Sequence, residues 1–599
     1  MAKREKRINL FPWHWVAVAL FYMLALTPVM ALPDRPESFK QGDFKAAEVY
    51  LDEYIEEWMD DESVPGVSIT VFDRNSFLLS KAYGYADLEE DIKTKPDTVF
   101  RVGGLTTLFT SLAIMQLQEQ GKINLLDPVS KYLPGFVINT RWATQTPINI
   151  HQLLIHYSGL PVSIFKGMWA FSPTTPEAML DQLALSYAAF QPGEIYAFSN
   201  LGYVLLGMII ERASGMPYAQ YVEQNIIKPL GLKHTGFSLT PEMRKQFAKG
   251  YKKEELKPVL QTRDVAALGL YSTSEDMARF VQAFITEQKV ISAGASSRML
   301  TPQNRQVRID TGHHIGYGWQ LDDARMSGVN HVANRWGSTL LFRSRVMLLP
   351  EFGLGVVINA NSSKGFRVVD EVAAEAMKVM LEVVQGVPQK VVKDEELVLE
   401  PVNNIAPFQT EYSTMAGYSR IRQKGSEYYA NIMGWNLHLR PQGNGWYGVQ
   451  YDFLGFLPIK LDWFAKIRIA PVMVDSEPAL LSHFNGRTTL FGSTLPNNAL
   501  NEKWKNRVGE YMLANPDELT EFYEVKEGHI REENGRLLFD YNLPFFMETT
   551  VTLPLVPLDD NLAIIPGKGS AFNEVIRVVR RDGGERLVYS GYELEKQAD

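Results

Sequence analysis

The sequence predicts a mixed α+β domain followed by an all-β tail. Three observations carry this. Within residues 46–385, β-branched runs of strand length stand near both ends, with helical periods between them. Around Lys390 to Pro407 the composition shifts to Glu, Lys, Val and Pro without a helical period, the mark of a linker, placed at 386–409. Beyond it, segments of strand length alternate with Gly, Asn and Pro turns.

In the first domain, Val64 to Asp73 and Phe77 to Tyr85 read as strands, the second ending at a Gly84 turn. Thr106 to Gln120 reads as a helix with a broad apolar face (Leu108, Phe109, Leu112, Ala113, Met115, Leu117), stopped by Gly121. Leu201 to Ala213, closed by Gly215, and Ser274 to Thr286 are further helices, and Arg345 to Asn359 holds two strands about the Pro350–Gly353 turn. Past the linker, two β units are expected at 410–498 and 503–597, the size of small antiparallel barrels or sandwiches. They share an architecture but no convincing sequence repeat.

At the N-terminus, Lys3, Arg4, Lys6 and Arg7 precede an apolar run from Leu10 to Leu32. Positive charge before an apolar core is the pattern of a secretory signal, with Val29-Met30-Ala31 spaced for cleavage after Ala31. An uncleaved anchor is the alternative, because the run is long enough to span a bilayer. Both readings make the chain exported and periplasmic, touching the membrane only through residues 1–31.

A length of 599 residues implies several domains, and 45% hydrophobic with 22% charged residues is ordinary for a globular chain. The net charge of −9 is spread out, and no basic patch interleaves with aromatics, so nucleic-acid binding has no support. The absence of cysteine excludes disulfides, a catalytic thiol and thiolate metal sites. The ten histidines are scattered: His313 and His314 are adjacent and diverge in a strand, while His151 and His156 stand five apart, so no metal or other cofactor is expected.

Short motifs then recur in one order: Val64-Pro65-Gly66-Val67, Tyr83-Gly84-Tyr85-Ala86-Asp87, Pro96 to Arg101, and Leu153-Leu154-Ile155-His156-Tyr157-Ser158-Gly159-Leu160. Pro192-Gly193-Glu194, Ser199-Asn200-Leu201-Gly202-Tyr203, Pro229-Leu230-Gly231-Leu232, Ser272-Thr273 with Asp276-Met277, and Gly316-Tyr317-Gly318-Trp319 follow. Together they resemble the penicillin-binding proteins and class C β-lactamases, a group that includes D,D-carboxypeptidases, D-aminopeptidases and esterases. The resemblance implies a β-lactamase/transpeptidase-like α/β sandwich with its site between a helical lobe and the sheet. It also implies acylation of a serine in Ser-x-x-Lys at a helix start, with a Tyr-x-Asn segment and a Lys-Thr-Gly or His-x-Gly strand completing the site. Serine is a weak nucleophile until a base takes its proton, and a lysine three residues on shares its helix face.

Here the Ser-x-x-Lys window, pinned by Phe100-Arg101 and Phe109-Thr110, falls on Gly104-Leu105-Thr106-Thr107. Tyr-x-Asn becomes Phe198-Ser199-Asn200, and the third segment aligns, most loosely, with His331-Val332-Ala333. Gly104, Thr107, Phe198 and Ala333 are therefore read as degenerate positions, and no catalytic residue is assigned. Losing the nucleophile alone costs a serine protease of unrelated fold about a million-fold in turnover. The only literal Ser-x-x-Lys, Ser163 to Lys166, stands in a loop after Pro161 and reads as incidental.

What remains is binding. A helix starting near Gly104 presents N–H groups that favour an anion such as a peptide carboxylate. Gly104, Thr107, Ser199, Asn200 and His331 are the candidate ligand contacts, with Arg335 as a further donor; the alternative is a closed cleft packed by Phe198 and Trp336. The expected function is a non-catalytic binding or partner protein in envelope metabolism, its ligand peptidoglycan-derived or another peptide or ester. An active hydrolase with an unrecognised nucleophile, and β units that carry the activity themselves, are the two competing readings.

Overall fold

A computed structural model describes residues 32–598 apart from 144–145, 253, 287–289, 305–313, 324–325, 390–398, 454–456, 460–465, 475, 485–486, 497–499 and 543–549. The N-terminal segment, His313 and much of the expected linker lie outside the described residues. Among the described residues no helix is long and apolar enough to cross a membrane.

The first domain is built on a seven-stranded antiparallel sheet. Its spatial order is Gln320–Asp323, His331–Ser338, Arg343–Leu349, Leu354–Ala360, Gly66–Phe72, Phe77–Asp87, Ile92–Lys93. The early and late strand pairs of the sequence thus meet in mid-sheet, where Val67 pairs with Ala360 and Thr70 with Val357. Gly66–Phe72 and Leu354–Ala360 are buried along their whole length, which explains why they read as continuous apolar runs. Two amphipathic helices, Phe44–Glu62 and Phe366–Gln385, bury Leu51, Ile55, Val372 and Met380 against one face of the sheet. The other face packs on the helical lobe. The result is the α/β sandwich that the motifs implied.

Thr106–Glu119 runs through the middle of this lobe and is buried on nearly every side. Its polar residues are bonded inside: Thr110 Oγ1 donates to Ala266 O at 2.6 Å, and Ser111 Oγ lies 3.2 Å from Tyr203 Oη. Asn200–Ser214 packs beside it, capped by Ser199 and ended by Gly215 in the left-handed region. The helix expected to run to Thr286 stops at Gln282.

The C-terminal region is two eight-stranded barrels. In the first, eight strands between Glu411 and Thr494 close where Trp446–Phe453 pairs with both Trp435–Gly443 and Arg468–Val474; Leu457–Ile459 adds a short extra strand. The second runs from Gly509–Leu513 to Tyr592–Lys596 and closes by pairing Tyr511 with Lys596. Closure removes the edge strands that open sheets must protect.

The second barrel is docked on the helical lobe, and one apolar cluster joins Phe190, Ile195 and Ala197 of the lobe to Trp504, Phe539 and Phe572 of the barrel. Around it the backbone of 162–167 is bonded into the barrel. Val162 N donates to Glu574 Oε1 (2.8 Å), Phe165 N to Ser590 Oγ (2.9 Å) and Gly167 N to Asp517 Oδ2 (2.9 Å).

Candidate active-site cleft

The chain enters the central helix through Gly103, whose φ of +53° lies in the left-handed region, and a tight turn Gly103–Leu105. The strand His331–Ser338 then lies against that turn. A Cβ on Gly104 would stand 2.7 Å from the carbonyl oxygen of Trp336, and a Cβ on Gly337 would collide with Val102 O. Glycine is required at both positions because backbone meets backbone there. At the position that the motifs align with the family's serine, a carbonyl oxygen stands where a side chain would begin.

The hydroxyls at the helix start are committed. Thr106 Oγ1 donates to Gly103 O (2.6 Å) and accepts from Leu270 N (3.1 Å), and Thr107 Oγ1 donates to Gly104 O (2.7 Å). Bonding back to the preceding turn is the usual fate of helical threonine. Thr107 is buried, so its assignment as a ligand contact is corrected: its one hydroxyl closes the helix turn. The expectation of free N–H groups at this helix start also changes, since Leu105 N donates to Val102 O and an acceptor, Trp336 O, faces Gly104.

In the second segment Ser199 caps the helix Asn200–Ser214. Its Oγ donates to Pro161 O (2.6 Å) and accepts from Gly202 N (3.3 Å). It is buried and does not reach the cleft, a second correction. Ser199 N donates to Nδ1 of His156 (3.2 Å), a fully buried ring with Phe198 4.7 Å and Tyr203 5.2 Å away between ring centroids. Burial, helped by the charge of Arg335, holds His156 far below its ordinary pKa, so it stays neutral and acts as a brace.

The third segment needs a change of register. The triplet facing Gly104 is Arg335-Trp336-Gly337, which sets a cation two residues before a glycine, the spacing of the Lys-Thr-Gly strand that the resemblance implies. Ala333 lies in the core and is not a site position. His331 is exposed at the other end of the strand, roughly 17 Å from Trp336 at ~3.3 Å per residue, and is no ligand contact. The signal was present in the sequence: a cation two residues before a glycine matches the motif's spacing, and the conspicuous histidine drew the alignment aside.

Gly104, Phe198, Asn200 and Arg335 do come together, around a cavity of 740 Å³. Trp336 lines it as well, although successive strand residues face opposite ways. The cavity therefore passes the free flank of the strand beyond Asn334, where pairing with Gln320–Asp323 ends. Met415 and Phe484 of the first barrel and Tyr523 and Ser570 of the second complete the wall, and Ser570 Oγ accepts from Phe198 N at 2.9 Å. Sequence reasoning missed these four, because nothing local marks a barrel residue that faces another domain. Behind the strand, Arg345 pairs with Asp370 at 2.5 Å, and Trp336 Nε1 donates to the same carboxylate.

Arg335 differs. It is 6% exposed, its Nε donates to Gly104 O at 3.3 Å, and its guanidinium stands 5.9 Å from the Tyr203 ring centroid. No carboxylate lies within 4.0 Å of it among the described residues. Asn200, 3.3 Å from Ser163 Oγ through its amide nitrogen, offers amide groups to the same space. The literal Ser163-x-x-Lys166 pair is split: Ser163 is buried, and Lys166 donates to Pro516 O (2.8 Å) and stands 3.6 Å from Asp517.

A beta-lactamase family model matches residues 51–378, more than half of the chain. Protein flp of Staphylococcus aureus (strain MW2) is 28% identical over 327 residues, 52% of this chain and 62% of that protein. A putative penicillin-binding protein, PbpX of Bacillus subtilis (strain 168), is 34% identical over 256 residues, 42% of this chain and again 62% of the relative. The match thus spans less than two thirds of either curated relative. Among solved structures, the octameric penicillin-binding protein homologue from Pyrococcus abyssi superposes with a TM-score of 0.52 at 24% identity, covering 74% of this chain and 99% of its own, a likeness of fold. The chain belongs to the beta-lactamase family.

Proposed function

We propose that this chain is an exported, non-catalytic member of its family that binds a carboxylate-bearing peptide ligand, of the kind peptidoglycan supplies, in the cleft at Gly104. The observation that carries the reading is Arg335, a buried cation without a counter-charge in a cleft whose nucleophile and lysine positions hold Gly104 and Thr107. A buried guanidinium is costly unless an anion meets it, and a peptide carboxylate is a geometric match for its planar donors. Asn200 supports the same ligand through its amide. The resemblance to a putative penicillin-binding protein favours an envelope peptide over other carboxylates. Export rests on the charged and apolar pattern of residues 1–31.

The test has two arms. Intact-mass measurement after exposure to a β-lactam and to a fluorophosphonate is expected to show no added mass. A muropeptide is expected to raise the unfolding temperature saturably in the native chain and not in Arg335→Gln. A stoichiometric acyl adduct would overturn the non-catalytic reading, and stabilisation that survives Arg335→Gln would overturn the assignment of the carboxylate.

A further inference from the structure

A second cavity, of 340 Å³, lies in the seam between the helical lobe and the second barrel. It neighbours the cleft, since Ser163 lines it and stands 3.3 Å from Asn200, but it is built around a different cation and its argument does not depend on the cleft at Gly104. Four alternate residues of one barrel strand, Val575, Arg577, Val579 and Arg581, share a face and line it. Val588, paired with Arg577 on the neighbouring strand, extends that face, and Ile164 and Leu185 of the lobe stand opposite.

The charges around it do not close. Arg586 holds Glu593 at 3.0 Å, and Arg581 shares that carboxylate at 3.8 Å. Glu574 is spent on the seam itself, accepting from Val162 N at 2.8 Å and lying 2.8 Å from the Tyr589 hydroxyl. Lys166 is held by Pro516 O and Asp517. Arg577 is partly buried, and its side chain has no hydrogen bond or ion pair among the described residues. Burial lowers its affinity for a proton, and the charge of Glu593, already held by Arg586 and Arg581, offsets this only in part.

We propose that this seam cavity is a second ligand site, which takes a small amphipathic carboxylate: the anion on Arg577 and a short aliphatic body on Val579, Val588, Ile164 and Leu185. The volume is at the lower end of small-molecule sites and holds one such molecule. The ligand bridges lobe and barrel, so its binding fastens the seam.

Hexanoate, acetate and inorganic phosphate are the probes, titrated into the native chain, Arg577→Gln and Arg335→Gln, with unfolding temperature and calorimetry as readouts. Hexanoate is expected to bind saturably, acetate and phosphate at least tenfold more weakly. Arg577→Gln is expected to weaken hexanoate at least tenfold in the Arg335→Gln background as in the native chain, which separates this site from the cleft. Without ligand, Arg577→Met is expected to keep or raise the unfolding temperature, because it removes an uncompensated charge. Absence of saturable hexanoate binding, equal binding of phosphate, or unchanged binding by Arg577→Gln would each overturn the proposal. A fall in the ligand-free unfolding temperature of Arg577→Met would do the same, by making the arginine structural.

Discussion

The narrowest point of the cleft yields the sharpest test. In Gly104→Ala the added Cβ meets Trp336 O at 2.7 Å, so the strand has to retreat by about 0.7 Å to restore ordinary contact. That strand is held along one edge and against the turn before the helix. Trp336 and Gly337 pair with Arg345 and Ser344, and Gly337 is itself seated on Val102 O. Overpacking of a well-packed site costs ~1–3 kcal/mol, and such pinning argues for the upper half. Loss of glycine's unfolded-state freedom returns about 0.4–1 kcal/mol, since Gly104 is not among the positive-φ glycines. The net expectation is a local destabilisation of about 1–2 kcal/mol. Native-state hydrogen exchange of peptides covering 100–112 and 333–340 reads this directly, as a roughly 5- to 30-fold faster exchange. For the same reason Gly104→Ser with Thr107→Lys is expected to take no label from a fluorophosphonate, its serine displacing the strand and its lysine entering a buried helix position. Exchange that is unchanged or slower in Gly104→Ala, or labelling of the double variant, would refute the reasoning.

Three further expectations follow from the same geometry. Gly337→Ala drives a Cβ into Val102 O and is expected to yield little folded protein, measured as rapid digestion in limited proteolysis while Gly135→Ala, with open space around it and no positive φ, resists. Arg335→Gln is expected to leave the ligand-free unfolding temperature equal or higher, because the one bond it loses, to Gly104 O, is long and the charge it removes has no partner. Glu574 is raised above its ordinary 4.5 by burial, so between that pH and its folded pKa the native state binds more protons than the unfolded chain. Stability of the lobe–barrel seam should therefore fall as pH rises from 4.5 toward neutrality, and Glu574→Gln should flatten that slope in paired urea titrations at pH 5 and pH 7.

The sandwich was legible because its strands and helices carry strong local patterns, and because the beta-lactamase-type motifs mark turns and caps with fixed backbone needs. Ser199 illustrates the limit. It stands in a motif beside a site residue, yet helix capping took its hydroxyl, and only the fold reveals which way it turns. Thr107 was misread for a similar reason: its i−3 bond to Gly104 O is the local competitor that wins when no base is at hand. The third motif slipped by four residues, from His331-Val332-Ala333 to Arg335-Trp336-Gly337. A strand's period of two lets either register place its first residue on one face, and packing against Gly104 decides between them. Met415, Phe484, Tyr523 and Ser570 were beyond reach because a contact between domains leaves no period in the sequence.

The two arginines that stand unpaired, Arg335 and Arg577, point to what the chain has kept. The fold's stability resides in the sheet, the buried helix Thr106–Glu119 and the barrel closures, none of which needs either charge. A cation drawn from water without an ion pair of its own subtracts from that stability, whereas nearby cations such as Arg345 and Arg586 are matched by carboxylates. An anion arriving from outside converts each deficit into charge-assisted hydrogen bonds, so each unpaired arginine lowers the stability of the empty chain and raises that of the occupied one. Replacing both with glutamine should therefore narrow the gap between the empty and occupied unfolding temperatures from both ends, an outcome that simple loss of packing cannot imitate.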